Sequence, residues 1–385
     1  MSNKVLFEIT EDLLETGMRG FPVGYCTTSS VDPQKGLFYR GQPVSELSGR
    51  EPIEVIYLLL YGKEGTEGEI KSFSDELAKR SPLHEETVKA IGRLPSQGHP
   101  MNLFCAAFFL AAIWEGEGDY KEDCLNLIAK IPQIAAEVIN THAGWGGTRP
   151  SKPELGYMEN FAQMINAPKA NVDDLSRIFK LFNVLHYDHG GGNLSTFVGK
   201  ATASGLQDLW GSLAAAMSAL AGPRHGKANQ DCLEFVKTAL QELRESASKE
   251  QVEAFISTRL ENNQLIYGFG HAVLRVEDPR ATVLYSLAKE KYSSNPLVKM
   301  ALLLREAGTK VLQENPKIQN PYPNVDAISG TVLSASGFPY PEYFTVLFGL
   351  SRSIGIAIQI VHERTEARGG KGLPIIRPKY LYQGK

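Results

Sequence analysis

Three short segments, far apart in the chain, carry side chains suited to moving protons. They are Gly222-Pro223-Arg224-His225-Gly226, Tyr267-Gly268-Phe269-Gly270-His271-Ala272 and Asn320-Pro321-Tyr322-Pro323-Asn324-Val325-Asp326. Each lies where Gly or Pro breaks the backbone. A titratable group beside such a break can point into a cleft instead of along a packed helix face. Two imidazoles and one carboxylate presented this way form an acid–base set, which marks the chain as an enzyme candidate.

The elements that must position these groups are mostly helices. Val23 to Val31 and Leu37 to Arg40 read as extended, and Asp32-Pro33-Gln34-Lys35-Gly36 between them has turn chemistry, so a small N-terminal hairpin is predicted. Pro52 to Tyr61 reads as a helix with Ile53, Tyr57 and Leu60 on one side, closed by Gly62. Asn102 to Trp114 is apolar all round and predicts a helix buried in the larger domain. Leu209 to Leu220 follows Asp208, a good N-cap, and stops at Gly222-Pro223. Gln230 to Thr258 reads as amphipathic and peripheral. Phe344 to Arg364 is a long helix with a stripe of Leu347, Leu350, Ile354, Ile358 and Val361. The fold class that follows is all-α with a short β element near the N-terminus.

Size and charge narrow the function. A chain of 385 residues exceeds what one hydrophobic core usually spans, so two domains are predicted. The net charge of −3 gives no long-range pull toward nucleic acid or anionic lipid, so an anionic ligand must be held by locally placed arginines. The four cysteines (Cys26, Cys105, Cys124, Cys232) have no CxxC spacing and read as buried reduced thiols. Met1 to Gly20 resembles neither a signal peptide nor an Arg-rich transit peptide. Leu103 to Trp114, taken as the longest apolar run, is shorter than the roughly 20 residues a bilayer span takes. A cytoplasmic protein with no membrane or nucleic-acid partner is expected.

Most single features have a bland reading. His186-Tyr187-Asp188-His189-Gly190-Gly191-Gly192-Asn193 lacks a complete metal or phosphate-loop pattern, so no metal is expected; a helix end closed by Gly190, with one histidine facing a polar cavity, fits better, and His186 reads as a core histidine. Gly268-Phe269-Gly270 begins like GxGxxG but has Val273 where the third glycine belongs. Arg352 sits roughly opposite its helix's apolar stripe and alone reads as a solvated arginine. Arg280, after Asp278-Pro279, alone reads as a surface ion pair, and Arg377 as a tail residue. His84, His99, His142 and His362 read as structural or exposed.

Taken together and in order, these segments resemble citrate synthase. The match runs through His186 to Asn193, Ala221 to Gln230, Gly268 to Arg275 with Asp278-Pro279-Arg280, Pro323 to Asp326 with Ser329-Gly330, Ser351-Arg352 and Arg377-Pro378, with a weaker N-terminal part at Gly36 to Gly41 and Glu54 to Gly62. Arg224 and Gly190 stand where the family pattern carries an apolar and an acidic residue. The resemblance implies a two-domain helical fold, with a large domain of residues 1–226 and 342–385 and a small domain of 227–341. It implies Asp326 as the base for acetyl-CoA, His225 as donor to the thioester oxygen and His271 as donor to the ketone of oxaloacetate. His189, Arg280 and Arg352 would hold oxaloacetate, and Arg377 would reach the neighbouring subunit's site in a homodimer. Arg275 and Lys317 would meet the phosphates of CoA, a co-substrate; no tightly bound cofactor is implied. A helix starting at His225 would keep that imidazole neutral. Two alternatives stay open: a 2-methylcitrate synthase using propionyl-CoA, and a non-catalytic dicarboxylate-binding relative.

Overall fold

A computed structural model describes residues 5–384, and of these 58% of the chain is helix and 3% strand. The all-α class stands. The predicted hairpin is present as β1 (Ser29–Asp32) and β2 (Gly36–Tyr39), antiparallel, with a short β3 (Gln42–Pro43) added on the far edge of β2. The Asp32 carboxylate accepts the Gln34 and Lys35 N–H groups, both at 2.9 Å, and fixes the turn. Strand pairing does not extend back to Val23.

The helices are α1 (Val44–Leu47), α2 (Pro52–Tyr61), α3 (Glu67–Arg80), α4 (Glu85–Gly92), α5 (Pro100–Glu115), α6 (Tyr120–Ala143), α7 (Tyr157–Met164), α8 (Val172–His186), α9 (Leu194–Ser204), α10 (Leu209–Leu220), α11 (Ala228–Leu243), α12 (Lys249–Glu261), α13 (Pro279–Lys291), α14 (Pro296–Gln313), α15 (Asp326–Ala335) and α16 (Phe344–Thr365). Local chemistry sets many of these bounds. Asp208 Oδ1 caps α10 by accepting Gly211 N–H at 2.7 Å, and Asp278 does the same for Arg280 at the start of α13 at 3.0 Å, with Pro279 in the first turn. Pro132 inside α6 cannot donate to the Ile128 carbonyl. The Tyr157 hydroxyl donates there instead, at 2.6 Å, and ties α7 to the gap.

Helix α16 runs through the core against α6, α8, α9 and α10. It is the longest apolar helix, which the reading of Leu103 to Trp114 as the longest run overlooked. By length and composition Pro341–Thr365 could cross a bilayer, but 94% of an apolar 18-residue stretch within it is buried inside the protein, as a core helix is. Gly355 lets the chain after α8 lie directly on α16: a Cβ there would come 2.1 Å from the Tyr187 carbonyl oxygen. Helices α11 to α15 pack mainly on one another, with α15 reaching α8 and α11 reaching α16.

Four expectations change. Helix α2 buries Tyr57 as expected, together with Val55, Ile56, Leu58 and Leu59, whereas Ile53 and Leu60 are half-buried, because α2 is covered on a broader and rotated face. Helix α5 is buried on one side only: Phe109 and Ile113 are 55% and 67% exposed. The single helix expected over Gln230 to Thr258 is two, broken at Arg244, whose φ of +70° ends α11 before Ser248 opens α12. His225 does not start a helix; it sits in the turns between α10 and α11, which begins at Ala228.

Candidate active site

Two loops close on each other to present the acid–base set. Gly270 N–H donates to Tyr322 O (3.0 Å), Asn324 N–H to Gly268 O (2.9 Å) and Asp278 N–H to Pro323 O (3.1 Å). Asn324 also spans the seam, its side-chain amide donating to Gly270 O at 2.9 Å and its Oδ1 accepting Asp326 N–H at 3.0 Å. Gly268 is required here: its φ is +84° and a Cβ would meet Ala327 Cα at 2.8 Å. The seam therefore fixes His271 on one loop against Asp326, the first residue of α15, on the other.

His225 and His271 have tautomers set by backbone donors. His225 Nε2 accepts the Ser195 N–H at 3.3 Å, with Ser195 Oγ also 2.9 Å away, so the ring proton rests on Nδ1. Ser195 is held by Asn193, the N-cap of α9. His271 Nδ1 accepts Val273 N–H (3.0 Å) and Leu274 N–H (2.9 Å), which leaves Nε2 as the donor. The His189 ring lies 5.2 Å from that of His271, and its Nε2 is buried without a partner. Such an orphaned polar atom fits a ligand group.

Two guanidiniums join them. Arg280 is buried and pairs with Asp278 at 2.7 Å; it is not a surface ion pair. Arg352 is 2% exposed, so the solvated reading fails: α16 is covered all round, and no face is left for a surface residue. Its Nε donates to His186 O at 3.0 Å and its guanidinium lies 4.8 Å from the Phe348 ring. It has no acidic partner among the described residues. The same Phe348 ring edges His225 at 6.2 Å.

Electrostatics tie the cluster together. Burial pushes the Asp326 carboxyl up to about 6, although Arg280 and Arg352 pull it back. Burial, helped by Arg352, holds His225 down at about 4; burial and Arg280 hold His271 at about 4. His189 is driven well below the ordinary imidazole range by burial, then by Arg280 and Arg352. Burial thus keeps His225 neutral, not a helix end. Burial pushes Asp278 up, but Arg280 outweighs it and keeps this acid ionised. His225, His271, His189, Asp326, Arg280 and Arg352 form one charge-coupled group: neutral imidazole donors, a base poised near neutrality, and cations that match carboxylates.

The remaining candidates stay outside this group. Arg275 is exposed and folds onto the carbonyls of His271, Val273 and Leu274. Lys317 is exposed in the loop after α14, and Arg377 is exposed in the tail after α16. Arg224 is exposed as well. The structural reading of the other histidines holds: His84 and His99 cap α4 and α5, His142 binds the Tyr343 hydroxyl, and His362 binds Arg40 and Glu366. His186 is a satisfied core histidine, bonded to Phe182 O at 2.7 Å. Sequence reasoning missed Ser195 and Phe348; the Asn193 cap just before Ser195 was the available signal. A separate cavity of about 240 Å³ lies among α2, α3, α6 and α7, where Asn160 bonds to Ser151 and the Tyr157 hydroxyl to Ile128 O. Among the described residues no cluster of three His, Cys, Asp or Glu could hold a metal ion.

The sequence matches the family described as "Citrate synthase, C-terminal domain" over residues 17–379. The chain belongs to the citrate synthase family. Among its relatives, citrate synthase 4, mitochondrial, of Arabidopsis thaliana is 37% identical over 97% of this chain and 82% of that protein. The mitochondrial citrate synthase of Daucus carota is 36% identical over 97% and 83%. The citrate synthase of Thermoplasma acidophilum, solved as a ternary complex with carboxymethyl coenzyme A and oxaloacetate, superposes with a TM-score of 0.83 at 26% identity, covering 96% of both chains. That of Thermotoga maritima gives 0.81 at 28% identity, covering 96% of this chain and 95% of its own. The chain is an acyltransferase of the citrate synthase type. One expectation is overturned: the named plant relatives are mitochondrial, so the cytoplasmic assignment does not stand. It rested on the composition of Met1 to Gly20, which does not report compartment, and residues 1–4 lie outside the described residues.

Proposed function

We propose that the cluster condenses acetyl-CoA with oxaloacetate and then hydrolyses the citryl-CoA formed to citrate and CoA. The observation that carries this reading is the orphaned His189 Nε2 beside two buried guanidiniums, one of them without an acid. A dianionic keto acid supplies the missing acceptors and charge. The Asp326 carboxylate takes a methyl proton from the thioester. A base alone cannot ionise so weak an acid, and His225 Nδ1–H donates to the thioester oxygen as negative charge develops; one such donor is worth about 3 to 4 kcal/mol. The resulting carbon nucleophile attacks the ketone carbon of oxaloacetate. His271 Nε2–H donates to the ketone oxygen and protonates the alkoxide. Water then attacks the thioester carbonyl, the C–S bond breaks, and CoA leaves as its thiol. CoA is a co-substrate; Arg275 and Lys317 meet its phosphates once they swing from their present positions.

In this reading residues 1–226 and 342–385 form a large domain and 227–341 a small one, with the site between them. His225, His189 and Arg352 come from the first, and His271, Arg280 and Asp326 from the second. Closing one on the other would exclude water before thioester chemistry. A homodimer is supported by the bare face of α5 around Phe109 and Ile113 and by the exposed Ile375, Tyr380 and Tyr382 of the tail. Arg377, in that tail, would enter the partner's site. The test is release of free CoA from acetyl-CoA and propionyl-CoA with oxaloacetate present. The reading expects a higher kcat/KM for acetyl-CoA; a preference for propionyl-CoA would make the chain a 2-methylcitrate synthase, and no release from either would leave only a dicarboxylate-binding relative.

A further inference from the structure

Asp188 stands directly behind the oxaloacetate end of the site and is fully buried. Its carboxylate gathers donors from two distant parts of the chain and from its own neighbour: the Thr28 hydroxyl at 2.5 Å, the Gln359 amide at 2.7 Å and the His189 N–H at 2.7 Å. All three are neutral, and no cation touches it among the described residues. Gln359 is itself braced by Lys200 at 3.4 Å, and Lys200 pairs with Glu363 at 2.8 Å. The next residue is tied down too, with Gly190 N–H donating to Ser29 Oγ at 2.8 Å. Tyr39 accepts the Asp188 N–H at 3.3 Å.

A buried carboxylate is costly unless its lone pairs are filled. Here the filling groups fix both carboxylate oxygens, and through them the peptide that carries His189. They leave Arg352, which feels the Asp188 charge, free of a contact ion pair among the described residues. We propose that Asp188, pinned by Thr28 and Gln359, is a positioning residue that sets the direction of the His189 ring and hence the grip on the keto-diacid. The proposal rests on the assignment of His189 to oxaloacetate.

Thr28 gives the cleanest test, because its two conservative replacements separate hydrogen bonding from packing. Thr28→Val keeps the shape and removes the donor; Thr28→Ser keeps the donor and removes a methyl group. Full-length variants would be assayed for the KM of each substrate, with melting temperatures measured in parallel. Thr28→Val is expected to raise the oxaloacetate KM about tenfold, the loss typical of one hydrogen bond to a charged group, with the acetyl-CoA KM within about twofold of the parent protein. Thr28→Ser is expected to restore the parent KM. A packing role predicts the reverse order and would overturn the proposal, as would a folded Thr28→Val with an unchanged oxaloacetate KM. His189→Ala serves as the reference. If it raises the oxaloacetate KM while Thr28→Val does not, only the positioning idea fails; if His189→Ala leaves that KM unchanged, the assignment of His189 fails and takes the proposal with it.

Discussion

The two ends of the candidate site are built in opposite ways. At the end proposed for the keto acid, Arg280 and Arg352 are 4% and 2% exposed, and each donates to a fixed acceptor. At the end proposed for CoA, Arg275 and Lys317 are exposed on loops. A buried cation meets a weakly screened field and is already paid for by the fold, so it grips a small dianion in one geometry. An exposed cation works through screened attraction and can follow a long, flexible polyanion. Substitutions at the first end should therefore change chemistry and stability together, and those at the second should change affinity alone.

The largest effect is expected from Gly355→Ala. A Cβ there would press on the Tyr187 carbonyl and displace the segment bearing Asp188 and His189; overpacking of this severity costs about 3 kcal/mol or more. Chemical denaturation would read it, and an unchanged midpoint would mean that the contact between this segment and α16 is loose. Arg352→Leu comes next. Loss of a carboxylate fork, at about 1.5 to 3 kcal/mol, should raise the oxaloacetate KM roughly 10- to 100-fold, and Arg352→Lys should not restore it, since an ammonium lacks the fork.

Titration should follow the buried end as well. In the proposed mechanism Asp326 acts ionised, so kcat/KM is expected to fall as pH drops through about 6, the value to which burial raises this carboxyl. Stability should decline over a similar range for a different reason. His186 is held down at about 3, His225 and His271 at about 4, all below the ordinary imidazole value of 6.5. The unfolded chain therefore binds more protons than the folded one between 6.5 and these values, so the stabilisation is intact above 6.5 and is lost as pH falls toward 4. Melting temperature against pH checks this, and a flat profile from 7 to 4 would contradict it. The smallest effect belongs to the exposed end: Arg275→Ala and Lys317→Ala should each raise the acetyl-CoA KM only a few-fold, about 1 kcal/mol or less, and the difference should shrink at high salt.

Much of this contrast was open to sequence reading where local chemistry decides structure. Asp208 fixed the start of α10, Gly62 the end of α2, and Asp278-Pro279 the start of α13. The three acid–base segments do sit at breaks, and the order of motifs carried the family. What failed depends on distant partners. Spacing on α16 put Arg352 opposite an apolar stripe, but only the packing of α6, α8, α9 and α10 around that helix buries it. The apolar surface of α5 looked like a buried core, whereas one face is bare in a single chain. Arg244 gives no sequence sign that it will adopt a positive φ and split a helix. Neutrality of His225 was assigned to a helix end, and it comes from burial and a guanidinium that lies 127 positions further along at Arg352.

The central claim is that Asp326 removes a proton at a site where oxaloacetate is held by other groups. Asp326→Asn, titrated with oxaloacetate by calorimetry and assayed for CoA release, separates the two jobs. Binding should stay within a few-fold of the parent protein while turnover drops roughly 10²- to 10⁴-fold, the contribution of a positioned base. Retained turnover, or lost oxaloacetate binding in a folded variant, would contradict the assignment.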